Sequence, residues 1–333
     1  MVLSVRDLTV EFAGEAGSMR AVDRVSFDLA SGEVLGLVGE SGCGKSTIAL
    51  ALMRLLPDTG ASITAGSVVL DGQSLLDLDE PAMRRVRGGA AAMVFQDATT
   101  SLHPLIPAGR QVTEVLRQHL GLSAAAARAR ALQLFRLVGI AAPERRLNAY
   151  PHELSGGMCQ RVMIAIAIAC NPKLLLADEP TTALDVTVQA QILELIAEIG
   201  RASGTAVILI THDLGVVAGM TDRVAVMYAG AIVETATTDR IFAAASHPYT
   251  LGLLKSVPRL DVGLDEDLPV IPGSVEASLG ATGCRFAPRC GYAVERCSAE
   301  RPALAEISPG HQVACWVDVA ASSASGQSRL RAA

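Results

Sequence analysis

Gly39-Glu40-Ser41-Gly42-Cys43-Gly44-Lys45-Ser46 is the stretch on which the fold turns. It has the form G-x-x-x-x-G-K-[ST]. A short apolar run, Val34 to Val38, precedes it, and a helical segment, Ser46 to Leu56, follows it, which is the context the motif requires. Glycines let the backbone curl until its N–H groups face a phosphate, and the helix N-terminus adds partial positive charge. Lys45 then reaches the β- and γ-phosphates, and the Ser46 hydroxyl binds Mg²⁺. An ordinary Gly-rich turn would not bring both the motif and this context. Cys43, inside the loop, reads as a small filler.

Outward from the loop, Ala91 to Phe95, Leu174 to Ala177 and Ala206 to Ile210 read as buried strands, and the N-terminal MVLSVRDLTVEF alternates like a strand. Ser123 to Val138 is Ala-rich and helical, and Val188, Ile192, Leu195, Ile196 and Ile199 fall at helical spacing. This alternation over residues 1 to about 240 predicts an α/β fold with a largely parallel sheet. Leu174 to Glu179, LLLADE, is an apolar strand ending in two carboxylates. Asp178 suits Mg²⁺, a hard cation that keeps its waters. Glu179 suits orienting and polarising an attacking water. A merely solvated pair at a strand end is the alternative, and the phosphate loop upstream argues against it.

Composition narrows the partners. The 333 residues carry a formal net charge of -6 and no basic block, so nucleic acid is not expected as the main partner. The longest apolar stretch, Val162 to Cys170, is far short of the ~20 residues a bilayer requires, and the N-terminus lacks a signal-peptide pattern. The expected location is the cytoplasm, with the membrane reached by docking to other subunits. Of seven cysteines, Cys284, Cys290, Cys297 and Cys315 cluster near the C-terminus. A disulfide framework is not expected in a reducing compartment, and the clustering suggests a metal site. Met158, Cys159 and Cys170 read as packing or surface residues. After Ile241, Pro248, Pro258, Pro269, Pro272, Pro288, Pro302 and Pro309 break up the chain. A small accessory domain is expected over residues 241–320, followed by a disordered Ala/Ser-rich tail over 321–333.

Leu154-Ser155-Gly156-Gly157-Met158-Cys159-Gln160-Arg161 resembles the LSGGQ signature of ABC ATPases. The resemblance covers about residues 2 to 240. It implies a P-loop NTPase domain of the ABC type with a helical signature subdomain. Under it, Gln96 is similar to the Q-loop glutamine that contacts Mg²⁺ and water, Ala183-Leu184-Asp185 to the D-loop, and His212 to the switch histidine that contacts the γ-phosphate. Phe12 is a candidate for stacking on adenine. The implied ATP set is Phe12, Gly39, Ser41, Gly42, Gly44, Lys45, Ser46, Thr47, Gln96, Asp178 and His212, with Mg²⁺ met by Ser46, Gln96 and Asp178. Catalysis falls to Glu179, His212 and Gln96. Ser155 and the two glycines would open a helix and present N–H groups and a positive dipole end. In the family, Ser155, Gly156, Gly157 and Gln160 would complete the site of a second ATPase subunit, with two nucleotides sandwiched in the dimer.

The run Asp178 to Leu193, DEPTTALDVTVQAQIL, and Gln96 to Pro104, QDATTSLHP, look like the importer ATPases for oligopeptides, dipeptides and nickel. His103 and Ala98 depart from that pattern, which usually has Asn and Pro there. His247-Pro248-Tyr249-Thr250 with Leu253-Leu254 also fits the group. Gly283 to Cys290, GCRFAPRC, followed by Cys297 and Cys315, is similar to the family's C-terminal cysteine motif, while Glu276-Ala277-Ser278-Leu279-Gly280 replaces part of its Pro-rich lead. The resemblance implies a [4Fe–4S] cluster on these four thiolates, a ligand set suited to it. Zinc is the rival, although structural zinc sites usually use C-x₂₋₄-C pairs, and here five residues separate Cys284 from Cys290.

The function implied is the ATP-hydrolysing subunit of an importer for di- or oligopeptides. Its implied partners are a related second ATPase subunit, two transmembrane permeases and an extracytoplasmic peptide-binding protein, and its implied place is the cytoplasmic face of the inner membrane. Nickel or another small solute is the alternative cargo. A soluble ABC ATPase acting on nucleic acid or ribosomes would usually carry two cassettes, coiled-coil insertions or basic arms, and a nucleotide-switched iron–sulfur redox protein would need a flavin or second-cluster motif. None is present in the sequence.

Overall fold

A computed structural model describes residues 1–14, 17–181, 184–257, 271–275, 278, 282–319 and 329–331. In chain order the strands are β1 (Leu3–Gly14), β2 (Gly17–Leu29), β3 (Val34–Val38), β4 (Ala61–Leu70), β5 (Gln73–Ser74), β6 (Ala91–Val94), β7 (Leu174–Asp178), β8 (Ala206–Thr211), β9 (Arg223–Tyr228), β10 (Ala231–Thr237), β11 (Ala305–Ser308), β12 (His311–Val313), β13 (Val317–Asp318) and β14 (Arg329–Leu330). The helices are α1 (Lys45–Leu52), α2 (Glu80–Val86), α3 (Ala98–Ser101), α4 (Ala108–Leu120), α5 (Ala124–Leu137), α6 (Pro143–Arg146), α7 (Gly156–Ile168), α8 (Val186–Ser203), α9 (Leu214–Met220), α10 (Thr238–Ala244), α11 (Pro248–Lys255) and α12 (Glu295–Ala299). No helix among the described residues is long and apolar enough to cross a membrane.

The described residues form two compact units. One comprises residues 1–4, 28–34 and 68–210. Its heart is the parallel set β6, β7 and β8, in register at Ala91↔Leu174 and Leu174↔Ala206. Every residue of the three strands is buried, as expected of parallel strands covered on both faces, whose sequences read as unbroken apolar runs. Against β6 packs α7, which also meets α3, α4, α5 and α8. Its Val162, Ile164 and Ala165 are fully buried. The Arg161 guanidinium ties this helix to its neighbours, donating to the Val138 carbonyl at 2.5 Å and to Gln191 Oε1 at 2.8 Å. Ser123 caps α5 by accepting from the Ala126 N–H.

The other unit comprises residues 5–27, 35–67 and 211 onward. Here β3 runs parallel to β9, matched at Leu35↔Arg223, and β9 turns into antiparallel β10. Ala229 and Gly230 make that turn, both with positive φ (45° and 87°), the two-residue hairpin loop that suits strand twist. Next to β10 lies β12, and then β11, both antiparallel. A core of Val38, Val226, Tyr228, Ile241, Tyr249 and Phe286 fills the unit, with Cys284 and Cys290 packed against it. The strands β2, β1 and β4 are neighbours in that order in a second sheet.

The expected boundary at residue 240 falls inside α10, and β12 pairs back onto β10 at Glu234↔Val313. Residues 329–331, within the tail expected to be disordered, are instead paired: β14 lies antiparallel to β13, and the Arg331 N–H donates to the Trp316 carbonyl at 2.7 Å. The rest of that tail, Pro258, Pro269, Ala183 and most of the 276–280 departure lie outside the described residues.

Candidate functional site

The phosphate loop leaves β3 at Val38 and enters α1 at Lys45. Gly39, Gly42 and Gly44 all have positive φ (156°, 78° and 104°). At two of them space as well as conformation demands glycine. A Cβ on Gly39 would lie 2.2 Å from the Met227 carbonyl oxygen, and one on Gly44 would lie 2.3 Å from that of Ala21. Lys45 is 5% exposed, and its Nζ donates back to the carbonyls of Gly39 (2.7 Å) and Glu40 (2.9 Å). The ammonium is thus parked on its own loop. Ser41, Gly42 and Ser46 are exposed and Thr47 is half-buried, whereas Cys43 is buried as filler. Burial pushes the Cys43 thiol up, against the opposing pull of Lys45. Phe12 is half-buried toward the end of β1.

In the other unit, β7 delivers Asp178 buried at its last position, with Glu179 following half-buried. Glu179 has φ 44°, a left-handed conformation uncommon for a non-glycine residue, while its N–H donates to the Ile210 carbonyl at 3.0 Å. Gln96, just past β6, donates from Nε2 to Glu179 Oε2 at 3.1 Å. Two of the three residues assigned to catalysis from sequence are therefore in direct contact. The third, His212, is exposed and follows the last residue of β8, and the next residue, Asp213, caps α9.

The signature segment folds as its composition predicts. Ser155 is the N-cap of α7, its hydroxyl accepting from the Met158 N–H at 3.3 Å, and Ser155 and Gly156 are exposed at the helix start. Gln160 lies one turn further, on the inward side. It is 3% exposed, and its Nε2 makes no hydrogen bond. Asp185 of the expected D-loop caps α8 by accepting from the Val188 N–H at 3.0 Å.

The C-terminal thiols come together. The Cys284 N–H donates to the Cys297 carbonyl at 2.7 Å. Burial pushes the Cys290 thiol up to about 12 and the Cys315 thiol to about 11, with the neighbouring thiols of the set adding to both shifts. All seven cysteines are free. Among the described residues, no three His, Cys, Asp or Glu side chains are arranged to hold a single metal ion.

Two further groups escaped the sequence reading because their members are far apart in the chain. Asp23, 3% exposed, receives Arg285 Nη2 at 2.6 Å and also Arg301. Burial works against its charge, yet Arg301 and Arg285 hold its carboxyl below the usual carboxylate range. Around Glu40, Arg289 donates to both carboxylate oxygens, and the Tyr249 hydroxyl accepts the backbone N–H.

The family model described as ABC transporter matches residues 22–182, and that of the oligopeptide/dipeptide transporter C-terminal region matches 233–297. A probable peptide ABC transporter ATP-binding protein of Sinorhizobium fredii is 54% identical over 95% of both chains. An oligopeptide transport ATP-binding protein of Bacillus subtilis is 49% identical over 95% of this chain and 88% of its own length. A dipeptide transport ATP-binding protein of Escherichia coli is 47% identical over 94% and 96%. Among solved structures, an ATP-binding cassette captured as a dimer after hydrolysis, with ADP and Pi, matches with TM-score 0.64 and 29% identity over 71% of this chain and 98% of that one.

Proposed function

Because this chain belongs to the ABC transporter ATP-binding proteins that carry an oligopeptide/dipeptide transporter C-terminal region, we propose that it binds and hydrolyses ATP to drive uptake of di- or oligopeptides. One observation carries the reading: the loop Gly39 to Ser46, with three glycines at positive φ, a buried lysine and a helix beginning at Lys45. Such a loop turns backbone N–H groups and a helix N-terminus toward phosphates. Lys45 would leave the carbonyls of Gly39 and Glu40 for the phosphates of ATP, with Ser46, Gln96 and Asp178 holding Mg²⁺. Glu179, its carboxylate steadied by Gln96, would take the role of aligning and polarising the attacking water, and His212 that of contacting the γ-phosphate. The exposed helix start at Ser155 and Gly156 suits the nucleotide of a second ATPase subunit. Two membrane permeases and a peptide-binding protein would complete the assembly, with this chain peripheral on the cytoplasmic face.

The four thiols suit an iron–sulfur cluster better than zinc. Cys284, Cys290, Cys297 and Cys315 offer four thiols in one C-terminal region, the donor number such a cluster needs. Structural zinc usually draws on C-x₂₋₄-C pairs, which this spacing lacks. The cluster's role would be to brace the C-terminal accessory region.

The test is ATPase activity of the subunit co-purified with its permeases, with and without binding protein loaded with peptide. Stimulation by peptide-loaded protein supports the reading. A response only to nickel-loaded protein would keep the mechanism and overturn the cargo.

A further inference from the structure

We infer that Arg289 and Tyr249 are positioning residues for ATP binding, clamping the phosphate loop by its second residue, Glu40; the inference rests on the loop being the ATP site.

Every part of Glu40 is held. Its carboxylate accepts Arg289 Nη1 on Oε2 at 2.8 Å and Nη2 on Oε1 at 3.1 Å. These are two parallel charge-assisted bonds, a geometry only a guanidinium supplies. Its N–H donates to the Tyr249 hydroxyl at 2.9 Å, and its carbonyl accepts from Lys45 Nζ and from the Cys43 N–H.

The clamp itself is anchored. Arg289 is only 6% exposed, and its Nε donates to the Pro272 carbonyl at 2.6 Å while Nη2 reaches that of Ile271 at 3.2 Å. Its guanidinium lies over the Tyr228 ring, 5.7 Å from the centroid. Tyr249, fully buried, packs edge-on against Tyr228 with centroids 4.7 Å apart and against Phe286 at 5.4 Å. This aromatic core thus presents one hydroxyl and one guanidinium to Glu40.

Glycines at Gly39, Gly42 and Gly44 give the loop its shape but also its freedom. Fixing Glu40 between the first two removes that freedom before nucleotide arrives, so less ordering remains to be done on binding. Loop order serves bound substrate and transition state alike. Loss of the clamp should therefore raise KM and the dissociation constant more than it lowers kcat. A brace that served only folding would move the melting temperature and leave affinity alone.

The test measures equilibrium Mg-ATP binding by the full-length chain, with circular dichroism as the check on folding. Arg289→Ala is expected to weaken binding on the order of tenfold, Arg289→Lys by less, and Glu40→Ala about as much as Arg289→Ala. The double variant Arg289→Ala/Glu40→Ala should be no weaker than the worse single one, because the two residues act as one unit. Should Arg289→Ala fail to fold, Arg289→Lys and Tyr249→Phe carry the same comparison. Unchanged affinity in folded variants, or additive losses in the double variant, would overturn the clamp and leave the ATP site standing. A wild-type chain that binds no Mg-ATP would overturn both.

Discussion

Gln96 Nε2 lies 3.1 Å from Glu179 Oε2, so a residue two positions past β6 hydrogen-bonds to the carboxylate that follows β7. The two are 83 positions apart and are brought together by the parallel pairing of those strands. The amide holds one carboxylate oxygen, which suits the water-aligning role proposed for Glu179.

Glu179→Gln removes the basic oxygen and keeps the shape. The variant should bind Mg-ATP as the wild type does and lose hydrolysis by on the order of a hundredfold or more. Phosphate release in single turnover reads this out, and turnover near the wild-type rate would remove Glu179 from its role.

Gly44→Ala tests the loop from its backbone. With φ at 104° and the new Cβ 2.3 Å from the Ala21 carbonyl oxygen, the loop must rebuild. Mg-ATP affinity should fall by more than about tenfold. Retained affinity would mean that this conformation is not the one that binds.

Asp23 makes the fold sensitive to acid. Its carboxyl is held below the usual range by Arg301 and Arg285 despite its burial. Its contribution to stability is therefore complete above its unfolded pKa, about 4, and drains away as pH falls from there through the lowered folded value. Asp23→Asn leaves two guanidinium groups facing a neutral amide. It should cost about 3 kcal/mol at neutral pH and flatten the loss of stability in acid. Urea denaturation from pH 7 to pH 3 compares the two, and parallel curves would discount the pair.

Cys290→Ser removes one thiol of the four. Loss of bound iron together with earlier melting of the C-terminal region is expected. ATP binding should not be abolished, since Gly39 to Ser46 remains in place. Unchanged metal content would exclude Cys290 as a ligand.

What the sequence disclosed, and what it hid, follows from range. β3, β7 and β8 were legible because each is a continuous apolar run, and all are buried throughout. The start of α7 was legible because Ser155 and two glycines are local signals of a helix N-terminus. By contrast, β4 is mostly exposed and lacks alternation, so it carried no period to read, and the alternation of β2 is confined to its end, at Val25, Phe27 and Leu29. Arg289 and Glu40 are separated by 249 positions, and Asp23 and Arg301 by 278. No window along the chain spans such pairs. Gln160 belongs to the signature by sequence and is buried here, a placement that helical geometry sets and the motif alone does not state.

The left-handed backbone at Glu179 sets the role proposed for that residue against durability. A glycine there would relax the turn, and relief of about 1 kcal/mol is typical of such positions. On the role proposed for Glu179, that gain in stability would come with loss of hydrolysis. Thermal screening alone would then favour the glycine, and only a screen that demands turnover would keep the glutamate.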